Sequence, residues 1–596
     1  MDDECLVGGG NAAKRRKIDA DDDDDDDDDV SILSHGGHVK EVDVGITEYV
    51  NNSDRFSGII KQRYSDFNVY EIDTNHAVIH MTNTTPVEEN DQPIVQHDLL
   101  SETDRLKLRQ VADNDSNTES IQIKVCEDKA ARTAFHVLIK VEFPQLESFT
   151  QTTDDGQKII CVRKQTKSQQ RRRGWWPSYR GDYTHFVLYK ENKDTGDAVG
   201  LLSKFLNVKA SNFAYAGNKD RRAITVQRIS VYRVTADKLS QLNKILRNMR
   251  VGNFTYEKEP LRLGQLWGNR FCIVLRNVAG DCDCRERSLQ SLRDKGFINY
   301  FGMQRFGTYS IPTYEVGKAL LHSNWATAID LILNLKAHEV DVSTAHQLWA
   351  ETKDATRTLT KMPQRCTIAR QLLKGIQKHG LRDACNALSF IPRNTRMMYV
   401  HSYQSLVWNR VVSRRVQRFG LKPVVGDLVI KANLTSADTV RQKVERRVEV
   451  ELLTEKTIDN YSIHDVVLPL PGFDVTFPSY ESSSWYEEIL TGDDITLQML
   501  NHRVKDYALS GSYRKIVMKP VDMTWDVLSY DDKTIPLTVT DLDRLEGKSL
   551  VLDTKGGKLA AVRLEFSLPS SCYATMALRE VTKTDTSAAF QTTLND

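Results

Sequence analysis

Apolar and polar positions alternate on both sides of one short charged loop. Phe213 and Tyr215 alternate before Ala216, and Ile224 and Val226 after Ala223, which predicts two strands joined across residues 216–223. Phe186-Val187-Leu188-Tyr189 and Phe271-Cys272-Ile273-Val274-Leu275 predict two more strands, and residues 46–86 are strand-like throughout. Elsewhere the period lengthens to that of a helix. Ala198, Leu201, Leu202 and Phe205 share one face, and Leu239, Leu242, Leu246 and Met249 mark a second amphipathic helix. Residues 325–515 are richer in helical pattern, with His401 to Trp408 on one such helix. The central part of the chain therefore reads as mixed α/β, and these apolar stripes are core rather than sites.

With 596 residues the chain is too long for one compact core, so two or more domains are expected. Its 40% hydrophobic and 27% charged residues are ordinary for a soluble protein. No apolar run has membrane-spanning length, and no apolar segment follows the N-terminus as a signal peptide requires. Nine scattered Cys suit reduced thiols; Cys282 and Cys284 are close, but no second pair completes a metal site. No metal is expected.

The formal net charge of zero hides an asymmetry. Residues 1–29 carry thirteen acids and four bases, leaving 77 basic and 68 acidic residues in the body, a surplus of nine cations. That sign favours a polyanionic partner. The head, residues 1–45, lacks the apolar content to fold, and its run Asp21 to Asp29 repels itself. Lys14-Arg15-Arg16-Lys17 is a basic cluster of the kind a nuclear import receptor reads, so the nucleus, with the cytoplasm as a second compartment, is expected. Residues 87–180 start polar and acidic and end with Arg171, Arg172, Arg173, Trp175, Trp176, Tyr179 and Arg180. Cations interleaved with aromatics suit phosphates and unpaired bases, so this end reads as an RNA-binding surface; the Trp pair also suits an anchor to the body.

The charged loop is Ala216-Gly217-Asn218-Lys219-Asp220-Arg221-Arg222-Ala223. One carboxylate, Asp220, sits among Lys219, Arg221 and Arg222, which favour its ionised form and suit phosphate. A permanently charged Asp beside a sugar-phosphate backbone fits a nucleophile acting at an anomeric carbon. Taken alone, the loop fits even better a solvated turn whose charges pair with one another.

The surrounding residues resemble the TruD family of pseudouridine synthases, whose Gly-x-Lys-Asp run carries the catalytic Asp. Four further segments follow in that family's order: Lys61 with Asp66 to Glu71; Leu261 to Gly264 with Gly268 to Phe271; Asn299 to Gly307; and Leu568 to Glu580. Tyr189 to Thr195 and Tyr399 to Ser405 resemble its longer eukaryotic branch. The resemblance implies an α+β fold: a catalytic domain with a mixed, mainly antiparallel sheet, interrupted by an inserted α/β domain. On this plan the catalytic domain comprises residues 46–86, 181–324 and 516–582, the inserts are 87–180 and 325–515, and 583–596 form a tail. It further implies conversion of uridine to pseudouridine in transfer RNA, uridine 13 being the usual target, with other tRNA positions and messenger RNA as further substrates. No cofactor is needed, because nothing is oxidised or donated. No membrane partner is implied, and a monomer is expected.

Carried over to this sequence, Asp220 is the catalytic residue, as nucleophile or as ribose-directed base. Lys61 orients and neutralises it, Phe67 lines the base pocket, Asn299 hydrogen-bonds near the catalytic loop or substrate, and Phe301 stacks on the base. Lys219, Arg222 and Arg305 support phosphate or loop. Each has an ordinary alternative: Lys61 as a surface charge, Phe67 and Phe301 as core, Asn299 as a turn residue. A silent RNA-binding relative and a uracil-releasing glycosylase are the rival functions, and the intact Asp220 opposes the first.

Overall fold

The structure, a computed structural model, describes residues 39–593 apart from 53, 87–98, 114–119, 126–127, 144, 154, 165–175, 177–179, 308–310, 336–339, 432–447, 551 and 554–555. The Lys14 to Lys17 cluster, the Asp run, Arg171, Arg172, Arg173 and Trp175 lie outside the described residues.

One nine-stranded sheet positions the site. Its path runs β17 (Val521–Tyr530), β18 (Leu559–Pro569), β10 (Gly268–Ala279), β2 (Phe67–Ile72), β8 (Ile224–Tyr232), β6 (Tyr183–Glu191) and β9 (Met249–Glu257). The short β1 (Ser57–Ile60) joins β10, and β7 (Phe213–Tyr215) joins β8. Only β2 and β8 pair in parallel within this sheet; the other pairings are antiparallel, as expected of an α+β fold with a mixed, mainly antiparallel sheet.

Strand β2 is buried along its whole length, polar residues included, because both faces are covered. Phe67, Val69 and Glu71 share one face by strand alternation, and Glu71 lies directly opposite Asn269 of β10. At the head of the strand, Asp66 and Arg276 form a fully buried ion pair at 2.8 Å, which fixes the turn leading out of Lys61. Such a pair tolerates burial because the Arg fork also reaches the carbonyl oxygens of Lys533 and Ile535.

Three smaller sheets complete the strands. β3 (Ile121–Val125), β5 (Lys158–Lys164) and β4 (Leu146–Thr152) pair in that order, and helices Glu102–Asp113 and Lys129–Glu142 flank them. They enclose a separate core of Leu108, Leu138, Ile139, Ile160 and Val162. β11 (Phe297–Ile298) pairs with β16 (Val517–Met518). β12 (Leu428–Ile430), β13 (Val450–Leu452), β14 (Val466–Leu470) and β15 (Ser512–Lys515) form the last sheet, in the order β13-β12-β14-β15. Helix Arg393–Phe419 crosses the large core, and its buried side chains include Ser405, Trp408 and Asn409.

The helix predicted through Leu239, Leu242, Leu246 and Met249 is shorter than its pattern. It is helical over Ala236–Gln241, continues as a single tighter turn to Lys244, and Met249 already opens β9. All four side chains are nevertheless buried in one core, which is why a strand residue could mimic the next step of a helical stripe.

Candidate active site

The loop 216–223 leaves β7 and enters β8, as the alternation predicts, and its backbone is tied down from several sides. The Lys219 N–H donates to Thr195 Oγ1 at 3.0 Å, and Gln227 Nε2 donates to the Gly217 carbonyl at 2.9 Å. Thr195 and Gln227 are themselves hydrogen-bonded at 2.9 Å, so one buried polar pair braces the loop. Gly264 N–H reaches the Ala216 carbonyl at 2.7 Å, linking the 261–264 segment to the same loop.

Asp220 Oδ2 accepts a hydrogen bond from Lys61 Nζ at 2.8 Å. Lys61 caps the end of β1 at φ +57°, a left-handed conformation uncommon for a residue with a Cβ. Its ammonium also lies 3.9 Å from the centroid of the Phe67 ring, a cation–π contact. Lys61, Phe67 and Asp220 therefore form one cluster.

Burial by itself would raise the Asp220 carboxyl. The nearby cations outweigh it, Lys61 first, then Lys190 and Lys219, and hold the group below its usual range. The side chain is still 39% exposed. The carboxylate is crowded by protein yet open to solvent. It is ionised, oriented and reachable.

Lys190, on the inward side of β6, is a member of this cluster that the sequence reading missed. Its ammonium donates to the Asp220 carbonyl at 3.0 Å and to the Lys193 carbonyl at 2.5 Å. Desolvation pushes it down to about 8, against the pull of Asp194 and Asp220. The available signal was a single lysine at the end of the buried run Phe186 to Tyr189.

Of the two supports expected from the loop's own cations, phosphate or loop, Lys219 gives the second. Lys219 does not face outward towards a phosphate: its ammonium is buried between Asn269 Oδ1 at 2.7 Å and Glu71 Oε2 at 3.2 Å. Those two residues are the cross-strand neighbours of β2 and β10, so Lys219 pins the 216–223 loop onto the sheet. The Glu71 contact is a buried ion pair. Arg221 and Arg222 are exposed, and Arg222 reaches the Gln62 carbonyl at 3.4 Å.

Asn299, Phe301 and Arg305 form a second cluster, built against helix Arg393–Phe419. The Phe301 backbone exchanges two hydrogen bonds of 3.0 Å with the Asn409 side chain. Its ring meets Trp408 and Tyr573 edge-on, at 5.7 and 6.2 Å between centroids. Arg305 Nε donates to Ser405 Oγ at 3.3 Å, and its guanidinium is 5.9 Å from the Phe301 ring. Asn299 is engaged at both ends of its amide: Oδ1 accepts from Arg514 at 2.8 Å, and Nδ2 donates to the Lys515 carbonyl at 3.1 Å. Arg514 was another omission of the sequence reading. Phe67 and Phe301 belong to one continuous core, at 1% and 7% exposure, so little of either ring is open. Trp176 is half-buried, its indole N–H donating to the Gly181 carbonyl at 3.1 Å, and Arg180 lies between it and Tyr256. This is the anchoring role.

No group of three or more His, Cys, Asp or Glu suited to a metal occurs among the described residues, and none of their helices is long and apolar enough to cross a membrane.

Comparison with known proteins identifies the family. The family model for tRNA pseudouridine synthase D (TruD) matches residues 161–581. Proteins of Bos taurus and Homo sapiens named pseudouridylate synthase 7 homolog are 45% identical over 570 residues, covering 95% of this chain and 84% of theirs. The multisubstrate pseudouridine synthase 7 of Schizosaccharomyces pombe is 36% identical over 638 residues, covering 93% of this chain and 92% of its own. A crystal structure assigned to TruD from Methanosarcina mazei superposes with a TM-score of 0.52 at 22% identity, covering 91% of this chain and 98% of that one, which supports the fold. With the family model matched over most of its length and close relatives matched almost throughout, the chain belongs to the TruD family of pseudouridine synthases, and is an isomerase.

Proposed function

We propose that the protein converts uridine to pseudouridine in transfer RNA, at a uridine 13-type position, and at further tRNA and messenger RNA sites, with Asp220 acting on the target nucleoside. The N1–C1′ bond breaks, the base turns, C5 bonds to C1′, C5 loses its proton and N1 gains one. Atoms balance without a co-reactant. The observation that carries this reading is the ionised, solvent-reachable Asp220 held at 2.8 Å by Lys61. Chemistry on a base within RNA requires lifting it from its stack into a pocket. Lys61 lies on the Phe67 ring and Arg514 on the Phe301 ring, so each aromatic proposed to meet the base is held by a cation. Incubation with tRNA labelled with tritium at uridine C5 tests the reaction. Tritium release with unchanged RNA mass is expected. Loss of uracil mass would instead identify a glycosylase.

Turnover should also carry the signature of Lys190. Asp220 stays ionised through neutral pH, so the rate is expected to be level from about pH 5 to 7. It should fall through pH 8, where Lys190, pushed down to about 8, loses the charge that supports Asp220. Lys190→Arg keeps its charge and should remove that bend in single-turnover profiles. The stability sign is the opposite. From about 8 to the ordinary lysine value of 10.5, the folded form binds fewer protons than the unfolded one, so Lys190 contributes more to stability as pH rises.

Residues 163–180 supply a further RNA contact in this reading, supported by the cations and aromatics interleaved along that stretch of sequence. Changing those three arginines to Ala should weaken tRNA binding and lower the slope of log affinity against log salt. Each lost phosphate contact contributes roughly 0.7 to 0.9 to that slope. An unchanged slope in a folded variant would remove this surface from the reading.

A further inference from the structure

Arg514 ends the 325–515 region on β15, one residue before the chain turns towards β16. Its side chain is buried, and its hydrogen bonds all go to uncharged oxygens. Nε donates to the Asn299 carbonyl at 2.7 Å, Nη2 to Asn299 Oδ1 at 2.8 Å, and Nη1 to the Ser571 carbonyl at 2.7 Å. The guanidinium carbon lies 4.0 Å from the centroid of the Phe301 ring and 5.4 Å from that of Trp408. Among the described residues Arg514 makes no ion pair.

A buried cation without a counter-ion is costly, and an apolar side chain of similar size would fill the space more cheaply. What an apolar side chain lacks is a rigid planar fork that stacks and donates at once. That fork joins three remote segments: the Asn299 to Phe301 loop, the end of β15, and Ser571 just before helix Ala574–Thr582. It sets the direction of the Asn299 amide and the plane of the Phe301 ring in one contact. Without it, Phe301 keeps the edge contacts from Trp408 and Tyr573 and the more distant Arg305, and the Asn299 oxygen loses its Arg514 donor.

We propose that Arg514 is a positioning residue for the isomerisation, fixing the Phe301 ring and the Asn299 amide for the incoming base; this rests on the uridine-isomerising function given above. It acts through those two side chains and touches no reacting atom. Misplacement of a positioned group by about 1 Å costs on the order of 10²-fold in rate.

Arg514→Lys keeps the charge and removes the fork. In single-turnover tritium release from C5-labelled tRNA, it is expected to lower the maximal rate about 10²-fold while tRNA affinity stays within about 3-fold. Arg514→Ala should lose more, and added guanidinium ion should restore part of its rate, whereas urea should not. Parental rate in Arg514→Lys would overturn the proposal, as would a loss in Arg514→Ala that guanidinium leaves untouched in a folded protein. If Arg514→Ala fails to fold, Arg514→Lys decides alone. Asp220→Asn in the same assay separates the two claims. If the parental protein releases no more tritium than this variant, the isomerising function fails; if the parental protein turns over, this variant is inactive and Arg514→Lys is normal, only the positioning role fails.

Discussion

Asp220→Asn is expected to abolish turnover, by at least roughly 10³-fold, while fold and RNA binding survive. The substitution is nearly isosteric and the side chain is partly exposed, so little packing is lost. The loop keeps its other ties: Thr195 and Gln227 hold its backbone, Lys219 pins it to the sheet, and Lys190 still reaches the residue 220 carbonyl. What disappears is the negative charge, and an amide is neither an adequate nucleophile nor an adequate base. The Asn oxygen can still accept from Lys61, so that lysine is not left without a partner. If RNA phosphate passes beside Asp220 as proposed, removing this anion should leave affinity equal or slightly tighter. The measurement is tritium release paired with a tRNA binding titration of the same variant. Turnover near the parental rate would show that Asp220 is not the catalytic residue.

Lys219→Met is expected to act through stability instead. Lys219 and Glu71 are 2% and 1% exposed, so removing the lysine leaves Glu71 as a buried, uncompensated carboxylate. Breaking such a pair on one side costs about 3–5 kcal/mol. The loop also loses its hold on Asn269, so activity should fall along with the melting temperature. Adding Glu71→Gln to Lys219→Met should recover much of the stability, because a neutral amide no longer carries the desolvation penalty. It should recover little of the activity, since the loop remains unpinned. Thermal melts of the two single variants and the double variant test this. A double variant no more stable than Lys219→Met would show that the cost lies in packing rather than in the buried charge.

Strands were legible where alternation was clean. Phe213, Tyr215, Ile224 and Val226 marked β7 and β8, and Phe271 to Leu275 marked β10. The helix after Ala236 was overextended because Leu246 and Met249 bury into the same core from a turn and a strand, and burial alone carries no record of backbone period. The small fold over 99–164 was hidden because its core comes from short apolar stretches on two helices and three strands, none persuasive alone. The Asp220 loop stood out through its motif, but its electrostatics did not. Of the chain neighbours suggested as partners, Lys219 does act on Asp220, whereas folding turned Arg221 and Arg222 outward; Lys61 was expected only from the family resemblance, and Lys190 arrives from β6. Lys190 and Arg514 escaped notice for the same reason. Each matters through burial and through residues far away in sequence, and neither property is visible in local composition.

The strand order also sets a timetable for the nascent chain. Strand β10 pairs on one side with β1 and β2, which are already synthesised when it emerges, but its other side waits for β18. Ala279 and Leu559 are 280 positions apart. At about 5–20 residues per second, that edge stays unsatisfied for roughly 14–56 s of translation. During this interval β10 presents a bare row of backbone donors and acceptors, the kind of template on which chains stick to one another. The Lys61–Asp220 pair can form early, but Arg514 and Ser571 arrive only after the intervening region has been made. A ribosome-bound chain truncated before β18 would therefore display the Lys61–Asp220 pair beside an unfinished sheet, and would be a natural client for a chaperone.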